Sequence, residues 1–278
     1  MIGEGRSDVM ISQRDANFPA YEPVRPDPRW VLTAGGAQWR GTRTEQNDVL
    51  FISDGDPGRG LLIALADGIG LDTDAGKAAR AAVDAMRNDY LHAEPMEEIH
   101  RQTLRMIGAA HTAIRTLNDS NQARGAAPVG AAAACVLIRD RKMSFSSAGN
   151  VRVFLIRAGL LLQLSRDHLL SLEAEERDIL SGEAPDIDPE WAKRVTSYVG
   201  LDGLQKVDCQ HLPVQMLPGD RVMVISSGLY GVLSEEELTA LALCAPPQRA
   251  AEAIVEQVRS LGSASQSNVS VALAQMGL

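Results

Sequence analysis

The sequence has no apolar run approaching the ~18–20 residues that a membrane-spanning helix needs. It has no excess of basic charge either. Lys plus Arg number 27 against 36 Asp plus Glu, for a formal net charge of −9. Phosphate backbones and anionic lipids repel such a chain, so nucleic acid and membrane surfaces are poor partners. Cysteine is scarce: Cys135, Cys209 and Cys244 stand far apart in apolar surroundings. With no CxxC and no Cys/His pairing, they read as reduced packing thiols, not as zinc ligands or a disulfide framework. Met1 to Tyr21 lacks the apolar stretch of a signal peptide, and the expected location is cytoplasmic. His92, His100, His111, His168 and His211 form no HExxH. No GxSxG elbow and no GxxxxGKS loop is present, which argues against a serine hydrolase and a P-loop enzyme. "DGDPG" and "DTDAG" alternate acids without completing a calcium loop and read as turns.

What is present is an ordinary globular balance, 45% apolar and 23% charged over 278 residues. That length suits one large domain with a tail. Residues 1–30 include "NFPAYEPVRPDPRW", with four prolines and no sustained period, and read as an N-terminal Pro-rich arm. The body spans 31–278. "DVLFIS" (48–53) and "GLLIALAD" (60–67) flank a Gly/Pro/Asp turn and predict a hairpin; the second run is apolar enough for a central buried strand. Helical spacing follows over 74–91 and again over 95–119, with Pro95 in a first turn. Residues 125–165 return to strands with turns at "RDRK" and "RAG". A short helix at 169–183 precedes a Pro-punctuated excursion at 184–195. Strands at 209–217 and 220–228, helices at 234–244 and 247–261, and a strand at 268–276 complete the chain. There are no internal repeats. Without regular βα alternation, the pattern predicts two packed sheets with helix pairs outside.

Asp67 ends a long apolar strand and is followed by Gly68-Ile69-Gly70, so a rigid element delivers a carboxylate to a sheet end. As an isolated fragment this reads as a cap or turn. The order of motifs adds more. "GTRTEQND" (41–48), "LLIALADGIG" (61–70), "GNVRVFLIRAGLLLQLSRDH" (149–168), "LPGDRVMVISSGLYGVLSEEEL" (217–238) and "SNVSVAL" (267–273) occur in turn. They resemble the PPM-type (protein phosphatase 2C-like) metal-dependent serine/threonine phosphatases in their bacterial form, from about Val31 to the C-terminus. The resemblance implies an α+β fold, a four-layer αββα sandwich of two mainly antiparallel sheets flanked by helices. It also implies two Mg²⁺ or Mn²⁺ ions at one end, held by aspartates, with a bridging water as nucleophile and an arginine on the phosphoryl group.

Carried over residue by residue, Arg43 matches the phosphate-binding arginine and Asp48 the final acid of the first motif. Asp67 matches the metal-bridging aspartate and Gly68 the glycine whose carbonyl faces a metal. The catalytic candidates are therefore Asp67 and Asp48. Elsewhere the acids are missing: Asn47, Asn150, Ser227, Gly231 and Ser267 stand at positions where the family carries a carboxylate. Scaffold letters such as Gly219, Asp220, Arg221, Gly228, Leu229 and Asn268 remain. Site charge falls from about −4 or −5 to about −2, which removes most of the divalent affinity. The expectation is no tightly held cofactor, with Mg²⁺ or Mn²⁺ weak on Asp67 and Gly68.

Three readings follow. The first is a pseudophosphatase that binds a phosphoprotein, or a Ser/Thr kinase or phosphatase partner, with little or no hydrolysis; Arg43 either grips phosphate or pairs with Glu45 or Asp48. The second is a weak Mn/Mg-dependent phosphoserine/phosphothreonine phosphatase with substitute ligands among Asp54, Asp56, Asp72 and Asp74. The third is an assembly subunit that uses the arm and the 184–195 segment with Trp191 as contact surfaces.

Overall fold

The computed structural model describes residues 31–56, 58–70, 73–94, 97–181 and 188–277. The Pro-rich arm, Asp72 and Pro95 lie outside the described residues. One antiparallel sheet, sheet A, is built from β1 (Leu32–Trp39), β6 (Arg152–Arg157), β7 (Leu160–Gln163), β10 (Arg221–Ile225) and β11 (Val269–Met276), in the order β1-β11-β10-β6-β7. The other, sheet B, has the order β2-β3-β4-β5-β8, from β2 (Asp48–Ile52), β3 (Leu61–Ile69), β4 (Gly130–Arg139), β5 (Lys142–Ala148) and β8 (Asp208–Cys209). The short β9 (Val214–Gln215) also pairs with β5. Helices α1 (Thr73–His92) and α2 (Ile99–Ala123) cover sheet B. Helices α5 (Glu235–Leu243) and α6 (Pro247–Ser260) cover sheet A, while α3 (Leu170–Ser181) and α4 (Pro189–Ala192) belong to the excursion after β7. This is the αββα sandwich that the motifs imply.

Strand alternation sorts the core into three layers. In β3, Leu61, Ile63 and Leu65 face sheet A, while Leu62, Ala64 and Ala66 face α1 and α2. Both faces are dry, which is why the sequence there is apolar almost throughout. Alanines on both sides (Ala64, Ala66, Ala131 and Ala133 against Ala78, Ala79 and Ala82) let α1 seat closely. On the far side, Met223, Ile225, Val271 and Leu273 pack under α5 and α6. Ser234 begins α5 with a reciprocal capping box to Glu237, an arrangement worth about 1 kcal/mol.

The structure departs from the sequence reading at four places. Strand β1 was not anticipated, because Ala34-Gly35-Gly36-Ala37 offers little alternation in bulk. The 209–217 strand is broken into β8 and β9, with Pro213 unable to donate to a ladder. Helix α2 starts at Ile99, after the non-helical Glu97 and Glu98. Cys135 is buried as expected, but Cys244 is exposed and Cys209 partly so.

Candidate active site at the mouth of the sandwich

Asp48 and Asp67 are directly opposite each other in the β2–β3 ladder. Both belong to the inward-facing set, Asp48 with Leu50 and Ile52, Asp67 with Ile63 and Leu65. They therefore stand at one end of the space between the sheets. Sheet A reaches the same end with Ser226, Ser227 and Ser270. The Ser227 hydroxyl donates to Oδ2 of Asp67 at 2.6 Å, and the Ser270 hydroxyl to Oδ2 of Asp48 at 2.7 Å. Ser270 in turn accepts from Nε2 of Gln38 at 2.9 Å, and its N–H donates to the Ser226 hydroxyl at 3.0 Å. The result is a polar seam joining the two sheets.

Electrostatics follow from that enclosure. Burial, reinforced by the neighbouring Asp67 charge, pushes the Asp48 carboxyl up to about 8, against hydrogen bonds from Ser226 and Ser270. Burial also raises Asp67, against hydrogen bonds from Ser227 and Asp48. Two adjacent carboxyls in a dry site share a proton more readily than they carry two charges.

The loop from Arg40 to Asn47 forms one lip of the mouth. Asn268 fastens it: its amide donates to the carbonyls of Arg40 and Glu45 at 2.8 and 2.9 Å and accepts from the Asn47 N–H at 2.8 Å. Thr42 N–H bonds the Gln266 carbonyl at 3.0 Å. Arg43 sits exposed on this loop and makes no ion pair among the described residues, so the alternative pairing with Glu45 or Asp48 is not formed. Gly228 is obligatory beside the clamp, since a Cβ there would lie 1.8 Å from the Asn268 carbonyl oxygen. Gly68 donates its N–H to the Asn47 carbonyl at 3.1 Å and abuts the first turn of α1.

The remaining positions are distributed around this centre. The Asn150 carbonyl accepts from the Tyr230 hydroxyl. Arg152 stacks on the Tyr230 ring at 3.7 Å and holds Asp167 through both carboxylate oxygens at 2.7–3.1 Å. Gly231 is exposed in a left-handed turn, and Ser267 is partly exposed between buried Gln266 and Asn268. Asp54 and Asp56 lie in the hairpin turn at the opposite end of β2, about 13 Å or more from Asp48 at strand rise. They cannot serve as substitute ligands at the mouth. Asp74 is engaged by Lys77 at 2.7 Å. Sequence reasoning missed Ser226, Ser270 and Gln38. Strand alternation puts Ser226 in phase with Val222 and Val224, and Ser270 in phase with Ala272 and Ala274, so it gives the face on which these two serines lie but not their partners.

The protein phosphatase 2C profile matches residues 41–183, just over half of the chain and including the Arg43, Asp48 and Asp67 motifs. The chain belongs to the protein phosphatase 2C family. No curated protein matches it significantly in sequence. Among solved structures it is similar to the Mycobacterium tuberculosis serine/threonine phosphatase PstP, at 19% identity and a TM-score of 0.72, over 89% of this chain and 99% of that one. The S. agalactiae serine/threonine phosphatase gives 19% identity and a TM-score of 0.74, over 88% and 99%. The PstP catalytic domain in complex with two manganese ions gives 19% identity and a TM-score of 0.71, over 90% and 100%. At these identities the likeness establishes the fold.

The donor set of this phosphatase 2C member does not fit a pair of hard divalent ions. Among the described residues no three His, Cys, Asp or Glu side chains cluster as a metal site. The two carboxylates present already accept serine hydroxyls, and neutral hydroxyls are weak partners for Mg²⁺ or Mn²⁺.

Proposed function

We propose that this chain is a pseudophosphatase, a regulatory protein of the phosphatase 2C fold that binds a phosphoprotein with little or no hydrolysis. The observation that carries this reading is the 2.6 Å hydrogen bond from Ser227 to Asp67. A hydroxyl donor stands against the carboxylate where the family pattern has a second acid. With hydroxyls facing Asp48 and Asp67 and a proton shared between the two carboxyls, the site carries less negative charge and repels a phosphate dianion less than a cluster of acids would. Arg43, uncommitted on its clamped loop, supplies a charge-assisted contact to that phosphate. The partner in this reading is a phosphorylated regulator or a Ser/Thr kinase in the cytoplasm, and Mg²⁺ or Mn²⁺ binds at most weakly at Asp67 and the Gly68 carbonyl. No helix among the described residues is long and apolar enough to cross a membrane.

The test is the initial rate on a phosphothreonine peptide with Mn²⁺ titrated to millimolar levels, with Asp67→Asn as control. The expected result is no rate above the control, together with peptide binding that Arg43→Ala weakens about tenfold or more. The facing carboxylates of Asp48 and Asp67 favour a second reading, a weak Mn/Mg-dependent phosphoserine/phosphothreonine phosphatase. A Mn²⁺-dependent rate that vanishes in Asp67→Asn would establish that one instead.

A further inference from the structure

An open groove of about 630 Å³ adjoins the mouth, between the chain entering β2 and one side of α1. Glu45 and Asn47 line it from the loop, Arg80 and Asp84 from the helix, and Val49 lies between them. The Oδ1 atom of Asn47 is buried and receives no hydrogen bond among the described residues. Gly76 packs against that oxygen, where a Cβ would stand 3.0 Å away.

The helix wall adds a charge pattern. Arg80 and Asp84 are exposed, opposite in sign and four apart on α1, yet neither has an ion-pair partner among the described residues. Four helical residues rise about 6 Å. Two residues of an extended chain rise about 6.6 Å and point to the same side. An acid and a base two apart on an extended segment therefore meet Arg80 and Asp84 in register. The direction is fixed as well. Three residues separate the end of β3 at the mouth from the start of α1, so Arg80 is nearer the mouth than Asp84. The loop carrying Arg43 also supplies Glu45 and Asn47 to the groove, so a chain bound there runs toward Arg43.

We propose that this groove binds the residues flanking the phosphorylated side chain of the partner, as an extended segment with an acid nearer the phosphate and a base two residues farther out. The proposal rests on the phosphoprotein-binding reading above and adds to it the class of sequence that is selected.

The experiment uses the full chain and the labelled peptide Lys-Ala-Asp-Ala-Ala-pThr-Ala-Ala-Asp-Ala-Lys, which reads the same in either chain direction. Its counterpart exchanges every Asp with every Lys. Fluorescence anisotropy should show the first peptide binding about tenfold more tightly, since two attractive contacts become two repulsive ones. The double variant Arg80→Glu, Asp84→Lys should invert the preference, and Asp84→Lys alone should weaken it; both sites are exposed and carry no packing. Equal binding of the two peptides, or a preference untouched by the charge swap, overturns the groove. Unphosphorylated versions separate the two ideas. A charge preference without phosphate dependence keeps the groove and removes the phosphate reading. Phosphate dependence through Arg43 without a charge preference does the reverse. No binding of any peptide at millimolar concentration removes both.

Discussion

The space between the two sheets is apolar along most of its length and polar at one end. In the middle, Ile63, Leu65, Val136 and Phe145 of sheet B meet Val153, Val222, Val224 and Ala272 of sheet A. At the mouth the same alternation continues, but sheet B offers Asp48 and Asp67 while sheet A offers Ser226, Ser227 and Ser270. The backbone is equally regular in both regions. What changes is whether the facing side chains exclude water or satisfy one another. A frame that is held by its middle can therefore exchange the chemistry of its end without losing the fold. Asn268 and Gly228 belong to that frame, while the serines beside them belong to the exchangeable end.

The comparison breaks most sharply in the middle. Phe145 is 1% exposed, and Phe145→Ala should cost about 3–5 kcal/mol of unfolding free energy in urea titration. A loss under 1 kcal/mol would mean that the central layer is not what holds the sheets together.

At the mouth, Ser227→Asp with Ser267→Asp tests whether the seam excludes metal. Without ions the variant should be less stable than the parent, because added carboxylates crowd Asp67. Mn²⁺ at about a hundred times its dissociation constant should then restore about 2.7 kcal/mol, read as a rise in Tm. The parent should show no such rise. Equal Mn²⁺ responses in both proteins would contradict the account of the seam.

A smaller effect is the pH dependence. Burial and the Asp67 charge raise Asp48 to about 8, so between the ordinary carboxylate value and about 8 the folded chain keeps a proton that the unfolded chain has released. Stability from this pair is complete on the acid side and is lost as pH rises toward 8, with a slope of up to about 1.4 kcal/mol per unit for one proton. His111 and His168, both lowered by burial, act in the opposite sense, adding stability as pH rises toward the ordinary histidine value. The informative quantity is thus the difference between parent and Asp48→Asn. The variant should have the flatter profile from pH 5 to 8, and identical slopes would remove the shared proton from the argument.

The two regions were also unequally legible. The middle layers could be read from apolar runs, because hydrophobic alternation and the Gly/Pro turn at 54–58 act locally. That serines stand at 227 and 267 was visible in the sequence itself. That Ser270 and Gln38 support Asp48 was not, since they lie 222 and 10 residues from it and meet it only across the sandwich. Strand β1 escaped notice for a related reason. Its glycines and alanines are explained by what packs on them from β2 and α6, not by their own pattern.

The smallest expected effect on stability belongs to Arg43, and it is the most diagnostic for function. The Arg40–Asn47 loop is held through backbone groups of Arg40, Thr42, Glu45 and Asn47 by Asn268 and Gln266, and none of these bonds uses the Arg43 side chain. Arg43→Ala should therefore leave unfolding free energy within about 0.5 kcal/mol of the parent. Phosphothreonine peptide binding should nevertheless fall about tenfold or more, because a hydrogen bond to a charged group is worth about 1.5–3 kcal/mol. Asn268→Ala supplies the contrast, since it releases the loop and should lower stability and binding together. If Arg43→Ala binds phosphopeptide as the parent does, the phosphate is not read from this loop. The mouth is then a structural seam, and the search for the partner moves to other surfaces, with exposed Trp191 the first to examine.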